Sequence, residues 1–558
     1  MTSTNHREMP KLKREDATLH EDDAQPHHEE SSAELPPGNT DEAELQSDSS
    51  SEDDDSESDD SEDDESNNDP RHEVCECEHE DDEENPLGNF AAVLAALNLD
   101  ALPQVAAETR RKLEWAEYEN PTVGDPMNGS YHILFPLQFS DGVCWLAKIP
   151  INGVEGKWDA LSAATLSSEA NTMRLLKRET TIPVPQVFDF SSTTANKLNC
   201  PYIFMSFISG RPLQDVWFNR DVDADTLHSH RVRALEGVAA AMHQLGKYTF
   251  DRGGTPLFDS NGNLQPGVGP MRSTDAQAEL DRWFVDKDPS TDPIYVEQPP
   301  SRDARGFYTF VMDLHPPSGK FAVMKGARVL QHHLINWLPK TVGPKFVLAH
   351  PDFDIQNILV AEDGQLQGII DWDGVVARPR STGNEAYPSW LTRDWDTMMY
   401  HYARPADEVD GDDEDILEDS PEALKRYRQV YRQCFSKAKG LGDQQRGDFG
   451  GQLRSLWSGW FNPLSCFAGR RQPTTDSDVI TRQSLVVDNV IIAATNPTCQ
   501  TAILRKVLKE ISSVSDDDDE AEDLNFLDVV EALAGNEEDE SLLKSLKCGF
   551  EKLLEMDF

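Results

Sequence analysis

Two short segments carry residue types that phosphoryl transfer requires. In Phe346-Val-Leu-Ala-His350-Pro-Asp352-Phe-Asp354-Ile-Gln-Asn357-Ile-Leu-Val a polar loop lies between two apolar runs. Gly368-Ile-Ile-Asp371-Trp372-Asp373 follows, with a carboxylate at the end of another apolar run. In the spacing His-x-Asp-x₄-Asn, Asp352 can accept the proton of an attacking hydroxyl. Asn357 and Asp371 offer the hard oxygen ligands that Mg²⁺ prefers. Such a transfer asks mainly for positioning and charge neutralisation, so few residues suffice. His350 belongs to the same catalytic loop and is expected to brace it through hydrogen bonds rather than to move protons. Asp354 reads as a loop-stabilising side chain.

These residues need a scaffold, and the text around them supplies one. Residues 89–97 and 102–118 look helical, and Asn120-Pro121 ends that run. The β-rich runs that start at Tyr131 and Val143 are joined by Ser140-Asp-Gly142, which is hairpin chemistry. Between Asp159 and Glu179, Leu166, Ala170, Met173 and Leu176 recur at helical spacing. Ile182-Pro-Val-Pro185 must stop that helix. Two further strands, from Val187 and from Tyr202, end at Gly210. Beyond Gly210 the chain reads as mainly helical, with one strand-rich patch from Lys345 to Asp371. The expected organisation is a tail over 1–86, a β-rich unit over 87–210, a helical unit over 211–513 and an acidic extension over 514–558.

Charge narrows the classes further. The 558 residues hold 51 Lys and Arg against 102 Asp and Glu, a formal charge of −51. The first 84 residues alone hold 33 acidic and five basic side chains. A nucleic-acid partner or an anionic membrane surface is therefore not expected, because both need a basic face. The run from Ser47 to Ser66 has almost no apolar residue, so ordering it would cost entropy without burial, and the tail is expected to be disordered. It could still contact a basic partner. Its His72, Cys75, Cys77 and His79 have the chemistry of metal ligands, but Cys-x-Cys is a poor zinc spacing and no apolar shell surrounds it. Eight scattered cysteines and the absence of a secretory-type leader point to a reducing compartment, expected to be the cytoplasm.

His350-Pro-Asp352…Asn357 with Ile369-Ile-Asp371-Trp372 resembles the aminoglycoside phosphotransferase (APH) family, the small-molecule branch of the protein-kinase-like fold. Thr181-Ile-Pro-Val-Pro185, Gly267-Val-Gly-Pro270 and Tyr387-Pro-Ser-Trp390 are similar to stretches of its large fungal subgroup. The resemblance covers about 121–395. It implies an α+β, protein-kinase-like bilobal fold: a small β-rich N-lobe, a larger helical C-lobe and the acidic tail outside both. It implies ATP and Mg²⁺ as cofactors and a small hydroxylated molecule as acceptor. Lys148, in Trp145-Leu-Ala-Lys148-Ile, is then the lysine that holds the α- and β-phosphates, and Glu169 its helix partner. Gly129 and Ser130 stand in the phosphate-covering hairpin, where backbone donors are expected. Met205 and Phe207 lie in the hinge that meets adenine. The alternative is a nucleotide-binding pseudokinase or an interaction protein without turnover. A protein acceptor is disfavoured, because Ile-Asp-Trp replaces Asp-Phe-Gly and no Ala-Pro-Glu follows.

If the acidic segment packs on nothing, deleting residues 1–84 will leave Tm and the cooperativity of unfolding unchanged in calorimetry. A large fall in Tm would show that the segment packs on the folded part.

Overall fold

The computed structural model describes residues 87–290, 293–316, 322–339, 345–396, 400, 402, 417–445, 476–514, 524–535 and 539–556. The acidic tail with its Cys75/Cys77 cluster and the acidic runs 407–416 and 515–520 lie outside the described residues.

Helices α1 (Ala91–Ala96) and α2 (Leu102–Glu114) come first. Helix α2 stops short of Tyr118 because Trp115 turns left-handed at φ 54° and caps it. Then come β1 (Thr122–Val123), β2 (Met127–Asn128), β3 (His132–Gln138), β4 (Cys144–Pro150), α3 (Ala160–Glu179), β5 (Val187–Ser191) and β6 (Tyr202–Ser206). The strands form one sheet in the order β1-β3-β4-β6-β5, with β2 on β3. Gly142 takes φ 87° in the β3–β4 turn, which fixes the register His132↔Pro150 through Gln138↔Cys144.

That register sorts the side chains by face, since strand residues alternate. Ile133, Phe135, Leu137, Trp145, Ala147, Ile149 and Phe204 share a core with Val93, Leu102 and Ala106 of α1 and α2. Leu146, Ile203 and Met205 face the other way, onto Leu166, Ala170 and Met173 of α3. Lys148 shares the parity of Leu146, so it points toward α3 rather than into the apolar layer. Helix α3 begins where the Asp159 carboxylate accepts the Ser162 N–H at 2.7 Å and ends before the two prolines, as expected.

The larger part follows: β7 (Arg211–Pro212), α4 (Leu213–Trp217), α5 (Ala224–Leu245), β8 (Thr249–Phe250), β9 (Thr255–Phe258), β10 (Leu264–Gly269), β11 (Met271–Thr274), α6 (Ala276–Phe284), β12 (Tyr295–Gln298), α7 (Ala304–Leu314) and α8 (Ala322–Trp337). After these come β13 (Phe346–Ala349), β14 (Ile358–Val360), β15 (Leu366–Ile369) and β16 (Val376–Pro379). Helices α9 (Pro421–Gln445), α10 (Asp476–Thr495), α11 (Pro497–Ser513), α12 (Phe526–Ala534) and α13 (Glu540–Glu555) close the chain. The reading of this part as helical apart from one patch needs correction over 249–298. That stretch holds five strands, in two antiparallel pairs and a short edge on β13. Its strands are only two to six residues long, and Pro256, Pro266, Gly267 and Gly269 interrupt β9 and β10, so no period-2 pattern announces them.

Two small three-stranded sheets position the chemistry. In one, β13 lies between β16 and β8; in the other, β14 lies between β15 and β7. The final pair α12–α13, set apart in the sequence with the acidic run, packs into the main core through Val530, Leu533, Leu546 and Phe550.

Helix α8 packs closely on α12 at Gly326. A Cβ on Gly326 would lie 1.7 Å from the Val530 carbonyl oxygen. Gly326→Ala must therefore push α12 away, at a cost of about 1–3 kcal/mol for overpacking. Calorimetry should show a Tm lower by a few degrees; an unchanged Tm would mean that α12 contributes little to the fold.

Candidate active site

Strand β4 and helix α3 bring the first two site residues together. Lys148 Nζ donates to Glu169 Oε1 at 2.6 Å, and the residues are 5% and 2% exposed. The ammonium also donates to Asp371 Oδ1 at 2.9 Å, across 223 positions of sequence. Burial by itself pushes the Lys148 pKa down, but Glu169, Asp371 and Asp373 together outweigh it and hold it above the ordinary lysine value. Partial desolvation opposes ionisation of the half-exposed Asp371, yet the Lys148 ammonium and His132 bring its carboxyl down to about 2. Burial pushes the Glu169 carboxyl up, against the pull of Lys148.

Asp371 stands just past β15 in the left-handed region, at φ 58°, a conformation that costs a non-glycine residue on the order of 1–2 kcal/mol. Its neighbours hold it there. Trp372 is fully buried, donates its Nε1–H to the Ile369 carbonyl at 3.1 Å and meets the His350 ring edge-on at 4.7 Å. His350 Nε2 donates to the Ile370 carbonyl at 2.9 Å, and burial keeps this imidazole neutral by lowering its pKa. His350 thus ties the catalytic loop to the residue before Asp371.

Asp352 is exposed, at the tip of the loop after β13. Its Oδ2 accepts from Asn357 Nδ2 at 2.9 Å and from Gln356 Nε2 at 3.1 Å. Asn357 Nδ2 also donates to the Asp352 carbonyl at 2.9 Å. Both bonds use the amide nitrogen, which keeps Oδ1 as the ligand atom. The Asn357 carbonyl accepts from Ile370 N at 3.0 Å, so Asn357 and Asp371 stand side by side at two strand ends. Their oxygens suit Mg²⁺, which takes one or two protein ligands and completes its shell with phosphate and water. Asp354 caps the short helical turn Ile355–Asn357 and pairs with Arg393 at 2.6 Å.

The hairpin and hinge residues are placed differently. Gly129 donates its N–H to the His132 carbonyl at 3.0 Å to close the β2–β3 hairpin. The backbone donor expected of Gly129 is therefore already engaged, and a Cβ there would meet nothing. Ser130 is exposed in the same turn. Met205 lies on the α3 face of β6, while Phe207 follows the strand with its side chain 46% exposed. Asp419, at the end of the acidic 407–419 run, is not available to an acceptor: it accepts from Trp217 Nε1 at 2.6 Å and pairs with Arg231 at 2.9 Å.

One residue to which the sequence reading gave no role, His132, belongs to this site. His132 Nε2 lies 3.8 Å from Asp373 Oδ2, joining β3 to the segment after β15. The hairpin register could have found it, because His132, Leu134, Leu146 and Lys148 share a face. Burial, with the Lys148 charge, lowers the His132 pKa to about 4.

Residues 158–382 match the family model APH, described as the phosphotransferase enzyme family. Over this segment the chain is similar to that family. The match begins just before α3 and ends after the segment that carries Asp371, so the APH segment holds Glu169, the catalytic loop and both candidate metal ligands. Among curated relatives, altered inheritance of mitochondria protein 9, mitochondrial, of Candida dubliniensis is 27% identical over 159 residues, 28% of this chain and 25% of that protein. A subtelomeric hrmA-associated cluster protein of Aspergillus fumigatus is 29% identical over 340 residues, 49% of this chain and 61% of its own. The chain thus spans about a quarter of the first relative's length. Among solved structures, the macrolide 2′-phosphotransferase MphH of Brachybacterium faecium aligns at 15% identity and TM-score 0.31, over 61% of this chain and 83% of that one.

The His132 environment sets a pH dependence. Its folded pKa is depressed, so below about pH 6.5 the unfolded chain takes up a proton that the folded chain refuses until about pH 4. Stability is therefore lost as pH falls through that window. In urea titrations, His132→Gln should lose less stability than the wild type between pH 7 and 4.5, by on the order of 2 kcal/mol. Parallel losses would place His132 in water.

Proposed function

We propose that this phosphotransferase-family chain is an ATP-dependent small-molecule kinase, which moves the γ-phosphoryl group of ATP to an alcohol hydroxyl. One observation carries the reading: a buried ammonium, Lys148, held between a helix carboxylate, Glu169, and a strand-end carboxylate, Asp371, at 2.6 and 2.9 Å. Burying Lys148 and Glu169 is costly unless they are paired, and the half-exposed Asp371 at the rim of the pair aims the ammonium toward the opening, where a polyphosphate would meet it. Lys148 would meet the α- and β-phosphates with Glu169 fixing its direction. Asn357 Oδ1 and Asp371 Oδ2 would hold Mg²⁺, which supplies charge neutralisation on the phosphates. Asp352, exposed and oriented by Asn357 and Gln356, would orient the acceptor hydroxyl and take its proton as the oxygen attacks phosphorus and ADP leaves. Met205 and Phe207 would border the adenine.

The acceptor in this proposal is a small hydroxylated molecule. The acidic first 84 residues would suit a basic partner, and the scattered cysteines support placement in the cytoplasm.

The test is an ATP-consumption screen of the purified full chain against a panel of hydroxylated metabolites, with Asp352→Asn beside it. Asp352→Asn should cut kcat by about 10²–10⁴-fold, the usual scale for a general base. Thermal stabilisation by ATP should require Mg²⁺ and nearly vanish in Asp371→Ala. A stabilisation that survives without metal and in Asp371→Ala would instead indicate nucleotide binding without turnover.

A further inference from the structure

The insertion between α5 and α7 lies against α3, the helix that carries Glu169. Its root is bonded to the sheet of the catalytic loop. Gly254 N donates to the Ala377 carbonyl at 3.2 Å, and Ala377 N donates back to the Gly254 carbonyl at 2.9 Å. Ala377 is the β16 residue opposite Leu348, two positions before His350. Gly254 sits at φ 152°, and a Cβ there would lie 2.3 Å from the Gly269 carbonyl oxygen. Only glycine lets the chain cross at this point.

Two positions later the insertion reaches α3. Ser168 Oγ donates to the Pro256 carbonyl at 3.0 Å, and Ser168 is 3% exposed. A second tie comes from β11, where Arg272 Nη1 donates to Ser162 Oγ at 3.2 Å while its guanidinium lies 4.5 Å from the centre of the Tyr295 ring on β12. Ser162 and Ser168 lie six residues apart on one rigid helix. Bonds at both points set its rotation as well as its distance from the sheet. Apolar packing alone is non-directional and would leave that rotation loosely defined.

We propose that residues 249–298 form a strap that positions α3 from the catalytic-loop sheet, with Ser168 and Arg272 as positioning residues that keep Glu169 on Lys148. The path is short and bonded throughout: β13, β16, Gly254, Pro256, Ser168, then Glu169. The site's helix is thereby referred to the same sheet that presents Asp352. The kinetic consequence rests on the phosphotransferase reading; the mechanical one does not.

The experiment uses the full chain with Ser168→Ala and Arg272→Gln, and Thr172→Val as control. Thr172 is a buried α3 hydroxyl for which no hydrogen-bond partner is found. Amide hydrogen exchange of α3 is measured without nucleotide, and the KM for ATP is measured with Mg²⁺. The loss of one directional bond should speed α3 exchange and raise the KM about three- to tenfold in Ser168→Ala and Arg272→Gln, and leave both near wild type in Thr172→Val. Unchanged α3 exchange in Ser168→Ala and Arg272→Gln overturns the strap, and so does an equal effect in Thr172→Val. If Ser168→Ala fails to fold, Arg272→Gln decides alone. Faster α3 exchange in a protein that consumes no ATP with any acceptor would sink the kinase reading and support the strap.

Discussion

An ammonium group that is 5% exposed survives in a folded chain only if a carboxylate is buried against it. Lys148 imposes that condition here, and the surrounding elements are arranged to meet it. Strand β4 turns the side chain toward α3 by parity. Helix α3 presents Glu169 from a stripe otherwise filled by Leu166, Ala170 and Met173. The chain after β15 brings Asp371 from 223 residues away in a left-handed conformation. Loss of Glu169 would leave the buried Lys148 ammonium paired only with Asp371, whose carboxylate is half exposed.

The strain at Asp371 is offset locally. The buried Trp372 ring, the His350 bond to the Ile370 carbonyl and the Asn357–Ile370 backbone bond form one braced corner. Its rigidity suits a reaction whose catalysis is mostly positioning. In the same corner Asn357 restrains Asp352 through its amide nitrogen, so the atom that would meet the acceptor and the atoms that would meet metal are fixed by one set of bonds. The chain carries a formal charge of −51, which repels a polyphosphate at long range. Screening confines that repulsion to about 8 Å at physiological salt, so the local donors decide binding.

The polar loop with Asp352 was legible from the spacing of its residues, whereas Lys148 and Glu169 were singled out by the resemblance that the loop carries. Apolar runs flank the loop, an almost continuous apolar run marks β4, and a helical repeat marks α3. The family resemblance makes Gly129 a phosphate donor, but its turn closes on the His132 carbonyl and engages the amide. The hairpins between α5 and α7 escaped notice because such short strands have no pattern to show. His132 was within reach, since the hairpin register puts it on the face of Lys148; its approach to Asp373 was not, because that depends on how β15 ends.

By itself the amino-acid sequence determined the local structure and the chemical inventory: which runs become strands or helices, which face of each is apolar, and which carboxylates, amide and ammonium are at hand. These follow from periodicity, capping and side-chain chemistry, all local properties. The tertiary structure decided which of those groups meet. It placed Glu169 and Asp371 on one ammonium, drew Arg393 to Asp354, buried Asp419 against Arg231 and laid residues 249–298 across α3. Those pairings join segments tens to hundreds of residues apart, and they are settled by the packing of one shared core rather than by any signal that the separate segments carry.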